Sequence, residues 1–457
     1  MTSGWATVEL RDERHPAAER TAARRAQLMA ELGDCTVVVP SGTFKVRSND
    51  TDFRFRPGSD FFWLTASHDP DGVLVLSPTE EGHRAVLYVE GRGDNSTHRF
   101  FTDAQYGELW TGPRRGVAET ASYLGLETAP MEQLEEDLEG LSASKVAVVR
   151  EIDPRLDRRF EVSEDDHRVT HLLHELRLAK DDYEIARLND AVAATIRGFE
   201  DVVRALPGAI GRSERVIEGV FNLRARVDGN DVGYNTIAAS GSHATILHWT
   251  RNDGIIGPDD LLLLDAGVEC EDLYTADVTR TMPVSGTFTP AQREIYDLVL
   301  KAQEAGIAAV VPGAAFMAPH EAATAVLAEG LVELGILTVP AAEALRRDRQ
   351  LHRRYTLHGT SHMLGLDVHD CAQARNEAYL GELQPGYVLT VEPGLYFQEG
   401  DLTVPEVFRG IGVRIEDDLL VTADGAINLT AALPRRAEDV EAWMAELWAG
   451  GTTDLGL

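Results

Sequence analysis

The segment HGTSHMLGLDVH places His358, His362 and His369 within twelve residues, in a chain that has 14 histidines in all. Imidazole titrates near neutrality and is the commonest metal ligand, so the cluster points to a metal, a proton shuttle or both. The structural alternative is a buried segment whose histidines satisfy backbone groups. Four acids stand in comparable settings. Asp265 ends the apolar run DDLLLLDAG, Asp277 lies in YTADVTR, Glu392 ends GYVLTVEPG, and Glu416 lies in GIGVRIEDD. In YTADVTR, strand alternation puts Asp277 on one face with Thr275 and Thr279, among hydroxyls. In GIGVRIEDD it turns Ile411, Val413 and Ile415 one way and Gly412, Arg414 and Glu416 the other, towards solvent or a polar cavity. Four carboxylates with the imidazole of His362 suit two divalent ions of intermediate hardness, such as Mn²⁺. Their charges balance two such ions. Without metal, carboxylates gathered this closely raise one another's pKa and destabilise the fold.

These residues need a scaffold. A length of 457 residues predicts two or three domains. Early runs at Cys35–Val39, GVLVLSP (72–78), RAVLYVE (84–90) and KVAVVRE (145–151) are short, β-branched and bounded by turns, and a basic amphipathic helix over 18–32 precedes them. This mixture predicts a small sheet domain flanked by helices, with a charge-rich boundary at 152–168. From His171 to Leu206 the pattern is helical and stops before Pro207-Gly208. Thr289, Pro290 and Gln292 supply an N-cap, a first-turn proline and a capping-box partner for a helix reaching about Val311.

The bulk composition narrows the functional classes. The 43 basic against 75 acidic residues give a formal charge of −32, which disfavours nucleic acid and anionic membranes as partners. No apolar run approaches a membrane span. The opening stretch lacks the apolar core of a signal peptide, and Cys35, Cys270 and Cys371 lie far apart without a CxxC motif, so the expected location is the reducing cytoplasm. HExxH, GxSxG and P-loop patterns are missing, against zincin, serine-hydrolase and nucleotide-binding readings. His167, His171 and His174 stand at helical spacing, but no second ligand motif accompanies them.

Five stretches occur in order: YNTIAASGSHATILHWT, LLLLDAGVECEDLYTADVTRTMPVSGTFTPAQREIYDLVL, HGTSHMLGLDVHD, LTVEPGLYF and RGIGVRIEDDLLV. Together they resemble the Xaa-Pro aminopeptidases (aminopeptidase P) of the pita-bread metallopeptidase family M24, which also includes prolidase, methionine aminopeptidase and creatinase. The resemblance is dense over about 170–435 and looser through AARRAQLMAEL, RPGSDFFWLT and ELWTGPRRG. It implies an α/β (α+β) protein, with an amino-terminal aminopeptidase P-like α/β domain over 1–170. A carboxy-terminal catalytic pita-bread (creatinase/aminopeptidase) domain would follow over 171–457, built on a curved six-stranded sheet.

The resemblance also implies a site. Asp265 would chelate one of two divalent ions, most readily Mn²⁺. Asp277 and Glu416 would bridge both, and His362 and Glu392 would complete the ligand set of the second ion. Glu392 would move the proton of the attacking water. His248, His358 and His369 would line the substrate side, Arg414 would hold the active-site network or the substrate, and glycines between the histidines would let backbone and substrate approach closely. Trp110 in ELWTG matches a tryptophan that a neighbouring subunit lays over the substrate in bacterial relatives, which implies a homodimer or homotetramer. One departure is Thr360, where close relatives tend to carry an apolar residue. The implied activity is release of the first residue from peptides with proline second. The alternatives are prolidase, with the same metal set, and a non-catalytic pita-bread binding protein, which the presence of all five ligand positions disfavours. Creatinase-like chemistry is disfavoured for the same reason.

Overall fold

The computed structural model describes residues 1–457 except 1, 3, 7, 9, 11–12, 142–144, 375–380, 454–455 and 457. It divides into two compact units, Met1–Leu176 and Arg177–Leu457. The amino-terminal unit holds a five-stranded sheet of β1 (Thr36–Pro40), β2 (Val73–Thr79), β3 (Gly82–Val89), β4 (Glu127–Pro130) and β5 (Val146–Val148). The order is β4-β3-β2-β1-β5, with parallel pairing at the two outer junctions and antiparallel pairing within. Val38, Val73, Val75, Val86, Tyr88 and Val148 form part of its core. The amphipathic helix α1 (Ala18–Leu32) buries Leu28, Met29 and Leu32, as its spacing predicts.

Helix α2 spans Glu164–Leu178, so the boundary expected at 170/171 falls inside a helix. The helical pattern expected over 171–206 is divided between two helices. The chain leaves α2 at Ala179, where the Lys180 N–H donates to the Gly386 carbonyl at 2.8 Å. Asp181 then caps α3 (Asp182–Ala209) with a full capping box to Glu184. Pro207 does not stop α3 but sits in its last turn, where its missing N–H removes one ladder bond. Helices α4 (Arg215–Asp228), α5 (Pro290–Ala308) and α6 (Ala318–Glu333) follow. The Thr289 capping box forms, and α5 ends three residues earlier than expected, at Ala308.

The carboxy-terminal unit has an antiparallel ladder of β6 (Ile237–Ser240), β7 (Leu261–Ala266) and β8 (Val278–Pro283), in the order β8-β7-β6. A second ladder joins β9 (Val388–Val391), β12 (Asp417–Thr422) and β13 (Gly425–Asn428), and β10 (Gly394–Tyr396) pairs with β11 (Gly412–Arg414). The expected six-stranded sheet is therefore two three-stranded ladders joined by side-chain and irregular backbone bonds. Glu416 N–H donates to Thr279 O at 3.1 Å, and Arg414 N–H donates to Thr281 Oγ1 at 3.2 Å. The buried Arg280 guanidinium donates to Asp417 Oδ1 at 2.7 Å and to the carbonyls of Thr279 and Glu416 at 3.0 and 2.6 Å. Every residue of β7 and β8 is buried, which explains why LLLL is continuous rather than alternating. Phe199, Leu206, Phe221, Leu262, Leu264, Ile295, Val299 and Leu327 tie helices to this sheet in one core.

The loop after His362 is held from below. Asp370 is buried between Arg177 and Lys180, with Lys180 Nζ 2.9 Å from its Oδ2, and the Cys371 thiol donates to it at 3.3 Å. At Gly365 a Cβ would lie 2.2 Å from Asp370 Oδ2, so glycine is required there. Gly359, by contrast, has room for a side chain. Burial alone would raise the Asp370 carboxyl, but the charges of Arg177 and Lys180 overcome it and hold the group well below the usual carboxylate range. Because the folded pKa is depressed, this contribution to stability is complete above the unfolded value of about 3.9 and is lost as pH falls below it. Urea unfolding should therefore show a decline in stability below about pH 4. Asp370→Asn should cost about 3–5 kcal/mol at neutral pH by taking the carboxylate from buried Lys180 and leaving the Arg177 guanidinium to Asp367, 2.9 Å away, and should flatten that acid limb.

Candidate functional site

Strand geometry delivers the acids to one place. Asp265 ends β7, Asp277 immediately precedes β8, Glu392 follows β9, and Glu416 lies between β11 and β12. The HGTSH segment runs against β9: Thr390 N–H donates to His362 O at 3.0 Å, and Glu392 N–H donates to Thr360 O at 2.8 Å. That pairing sets His362 beside Glu392. His362 Nε2 lies 3.3 Å from Asp277 Oδ2 and 3.4 Å from Glu392 Oε1. Its Nδ1 faces the Met363 carbonyl at 3.1 Å, which can only accept, so the proton belongs on Nδ1 and Nε2 points into the cluster. Ligand atoms of Asp277, His362 and Glu416 lie within 4.8 Å of one another.

The polar face of GIGVRIEDD does not meet solvent: Arg414 and Glu416 are buried. Arg414 Nη2 donates to Asp265 Oδ2 at 2.5 Å, its Nε to Thr279 Oγ1 at 3.1 Å, and its Nη1 to the Tyr396 hydroxyl at 3.0 Å. Thr279 in turn donates to Glu416 Oε2 at 2.6 Å. The Tyr234 hydroxyl sits between Asp265 and Asp277, 2.7 and 2.5 Å from their Oδ1 atoms. Tyr234 and Tyr396 were not singled out from sequence. Both lie inside recognisable stretches, YNTI and GLYF, but a lone tyrosine carries no spacing signal.

Burial disfavours the ionised form of several of these acids. Burial raises Asp265 and drives Glu416 well above the carboxylate range, with Asp277 and Glu392 adding to the effect on Glu416. Burial also brings Glu392 to about 7, against the opposing charges of His362 and Arg414. For His362 burial works downward, yet the bond to Asp277 and the charge of Glu392 push it up to about 9. Buried carboxylates around one imidazole are a donor set that divalent ions would stabilise, and the oxygen-rich donors with one nitrogen fit ions of intermediate hardness.

The other histidines behave differently. His358 is pushed down to about 4 by burial and by the charge of Arg414. Its Nδ1–H donates to Gly359 O at 2.7 Å, and its Nε2 accepts from Tyr396 at 2.7 Å. His369 is lowered by burial and by His362, and their rings meet edge to face at 4.4 Å. His248 is exposed on the loop after β6, near enough for its charge to act on both His358 and His369. Trp110 belongs to the amino-terminal unit, where it is 60% exposed and its indole donates to Phe101 O at 3.1 Å. His171 and His174 face Glu175 and Asp60 at 4.0 and 3.8 Å rather than one another. The buried Cys270 thiol is pushed up to about 12 and that of Cys371 is also raised, which leaves neither a ready nucleophile. At Thr360 the hydroxyl meets His320 Nδ1 at 2.9 Å, giving this departure a partner of its own.

Residues 185–423 match the model of metallopeptidase family M24, and residues 21–149 match the aminopeptidase P amino-terminal domain. The chain belongs to the M24 metallopeptidases. It is 53% identical to Xaa-Pro aminopeptidase 1 of Streptomyces coelicolor over 98% of this chain and 91% of that protein. It is 36% identical to the Xaa-Pro aminopeptidase of Escherichia coli over 87% and 91%. Aminopeptidase PepP of Pseudomonas aeruginosa superposes with a TM-score of 0.85 at 32% identity, covering 95% of this chain and 99% of that one. Aminopeptidase P from Escherichia coli with the inhibitor Pro-Leu gives 0.84 at 31%, covering 95% and 100%. Within M24 the chain is thus an Xaa-Pro aminopeptidase, a hydrolase dependent on divalent metal. For an M24 peptidase with this acid cluster, binding at 100-fold excess over Kd should stabilise the fold by about 2.7 kcal/mol. Chelator-stripped protein should therefore melt at a higher temperature once Mn²⁺, Co²⁺ or Zn²⁺ is restored, and Asp277→Ala should remove the shift.

Proposed function

We propose that this enzyme releases the amino-terminal residue from peptides with proline second, using two divalent ions, Mn²⁺ by preference, held by Asp265, Asp277, His362, Glu392 and Glu416. The observation that carries this reading is the convergence of Asp277, His362 and Glu416 ligand atoms within 4.8 Å. Asp265 and Glu392 adjoin the same cluster through Tyr234 and His362. When bound, the ions supply an activated water and polarise the scissile carbonyl.

The protein's own residues do the rest. Glu392, raised to about 7 by burial, is the group that carries a proton between water and leaving amine. His358, its ring proton held on Nδ1 by the Gly359 carbonyl, lines the substrate side through the Tyr396 hydroxyl at its Nε2, while His369 and His248 face the substrate and its developing oxyanion. Arg414 fixes Asp265 and the Tyr396–His358 pair in one charge-assisted network. The substrate preference follows from proline. Its tertiary amide has no N–H and its ring fixes φ, so a site that needs no donor there accepts what strand-binding peptidases refuse.

Prolidase remains the second reading, because it shares the metal set. The full-length similarity to proteins named Xaa-Pro aminopeptidase favours the longer-peptide activity. Exposed Trp110 supports a homo-oligomer, dimer or tetramer, in which a neighbour's indole covers the substrate. The formal charge of −32 supports a protein without nucleic-acid or anionic-membrane partners, and three separate cysteines support a reducing, cytoplasmic setting.

Chelator-stripped enzyme given Arg-Pro-Pro should release free arginine only after Mn²⁺ is restored. Cleavage restricted to an Xaa-Pro dipeptide would make it a prolidase. Asp277→Ala and Glu416→Ala should each abolish both bound metal, measured by mass spectrometry, and turnover. Retained activity would remove the two-ion assignment. Trp110→Ala should lower kcat/KM on the tripeptide by about tenfold through a loosened substrate, and an unchanged rate would take Trp110 out of the site.

A further inference from the structure

Glu214, just before α4, is fully buried and lies outside the acid cluster. Its carboxylate accepts four hydrogen bonds, two on each oxygen. Oε1 takes Ser240 N–H at 2.8 Å and His243 Nδ1–H at 2.9 Å, while Oε2 takes the Trp249 indole at 2.7 Å and Gly254 N–H at 2.8 Å. No Lys or Arg is among these four partners. The donors come from both ends and the middle of one loop, the segment 240–254 that carries His248. His243 also stacks on Trp249, with ring centroids 3.8 Å apart. The loop lies directly on β11: at Gly412 a Cβ would be 2.1 Å from Ala244 O, two residues from Arg414. Gln398 Nε2 donates to Thr245 O at 2.6 Å from the opposite side.

A buried carboxylate without a strong cation costs folding energy unless its lone pairs are filled, and here all are filled by one loop. The indole bond anchors the residue next to His248, so the backbone of an exposed histidine is set by a buried acid. We propose that Glu214 is a positioning residue for the reaction, acting through the 240–254 loop to hold His248 against the substrate. This rests on the reading of His248 as a substrate-side group.

The test is a double-mutant cycle of Glu214→Gln and His248→Ala, read as kcat/KM on Arg-Pro-Pro with Mn²⁺ and as bound metal. The amide keeps the size of Glu214 but turns N–H groups against two of the loop's donors. In the native background Glu214→Gln should lower kcat/KM by about tenfold with metal content unchanged. In the His248→Ala background the same change should cost less than about twofold. An equal loss in both backgrounds, or no loss in the first, overturns the proposal. If His248→Ala alone leaves the rate unchanged, the substrate-side reading of His248 fails, and the proposal falls with it for that separate reason. Should Glu214→Gln not fold, Trp249→Phe removes one donor at similar size, and the same two outcomes decide.

Discussion

Mutual repulsion among buried carboxylates is the constraint around which the carboxy-terminal unit is organised. Asp265, Asp277, Glu392 and Glu416 lie out of water within reach of one imidazole, and Asp418 adds a fifth acid behind them, accepting the Asp277 N–H at 3.2 Å. No apolar packing offsets that. The protein meets the charge with directed donors: Arg414 on Asp265, Tyr234 between Asp265 and Asp277, Thr279 on Glu416, and His362 between Asp277 and Glu392. Asp265 and Asp277 each meet two of these groups, and a buried acid without such partners would be costly. The remaining repulsion is left in place, and it is what gives the site its affinity for dications.

The irregular sheet follows from the same constraint. A continuous six-stranded ladder would use up the backbone around Glu416. Instead the chain breaks between β11 and β12, and Arg280 reaches across to hold the Glu416 carbonyl and the Asp417 carboxylate. Asp417 is further held by Thr430 and Gln303 at 2.7 and 2.9 Å. Of two adjacent acids, then, one is neutralised by a buried cation and fixed as structure. The other is turned into the cluster and kept available. The same division separates Asp370, clamped by Arg177 and Lys180, from His369 beside it.

Much of this was legible in the sequence because the site residues sit on period-2 strands that end in turns. The apolar runs before Asp265 and Glu392 fixed where each strand stops, and alternation in GIGVRIEDD put Arg414 and Glu416 on one face. The same alternation left open whether that face met solvent, since burial depends on what the other ladder brings. Tyr234, Tyr396 and Glu214 were not legible. Their partners are 31, 18 and 26–40 residues distant in the chain, and neither tyrosine nor glutamate at such spacing has a periodic signature. The break of the long helix at Ala179–Asp181 was hidden for a related reason. Lys180 and Asp181 read as helix surface until the Gly386 carbonyl and the buried Asp370 claim the first of them.

The three clustered histidines show how environment assigns roles within one motif. Desolvation lowers each of them, although His369 is the most exposed of the three. At His362 two carboxylates, Asp277 and Glu392, outweigh that cost and face Nε2. At His358 Glu392 Oε2 lies 3.6 Å from Nδ1, yet burial and the charge of Arg414 behind the Tyr396 hydroxyl hold the ring's pKa down, with its proton on Nδ1 facing a carbonyl. At His369 the neighbour is His362 itself, which acts in the same direction as burial. A charged imidazole on the substrate side would compete with dications for the same carboxylates. With their pKa lowered, His358 and His369 sit next to the cluster as hydrogen-bonding groups, while His362 alone of the three is drawn up by the carboxylates.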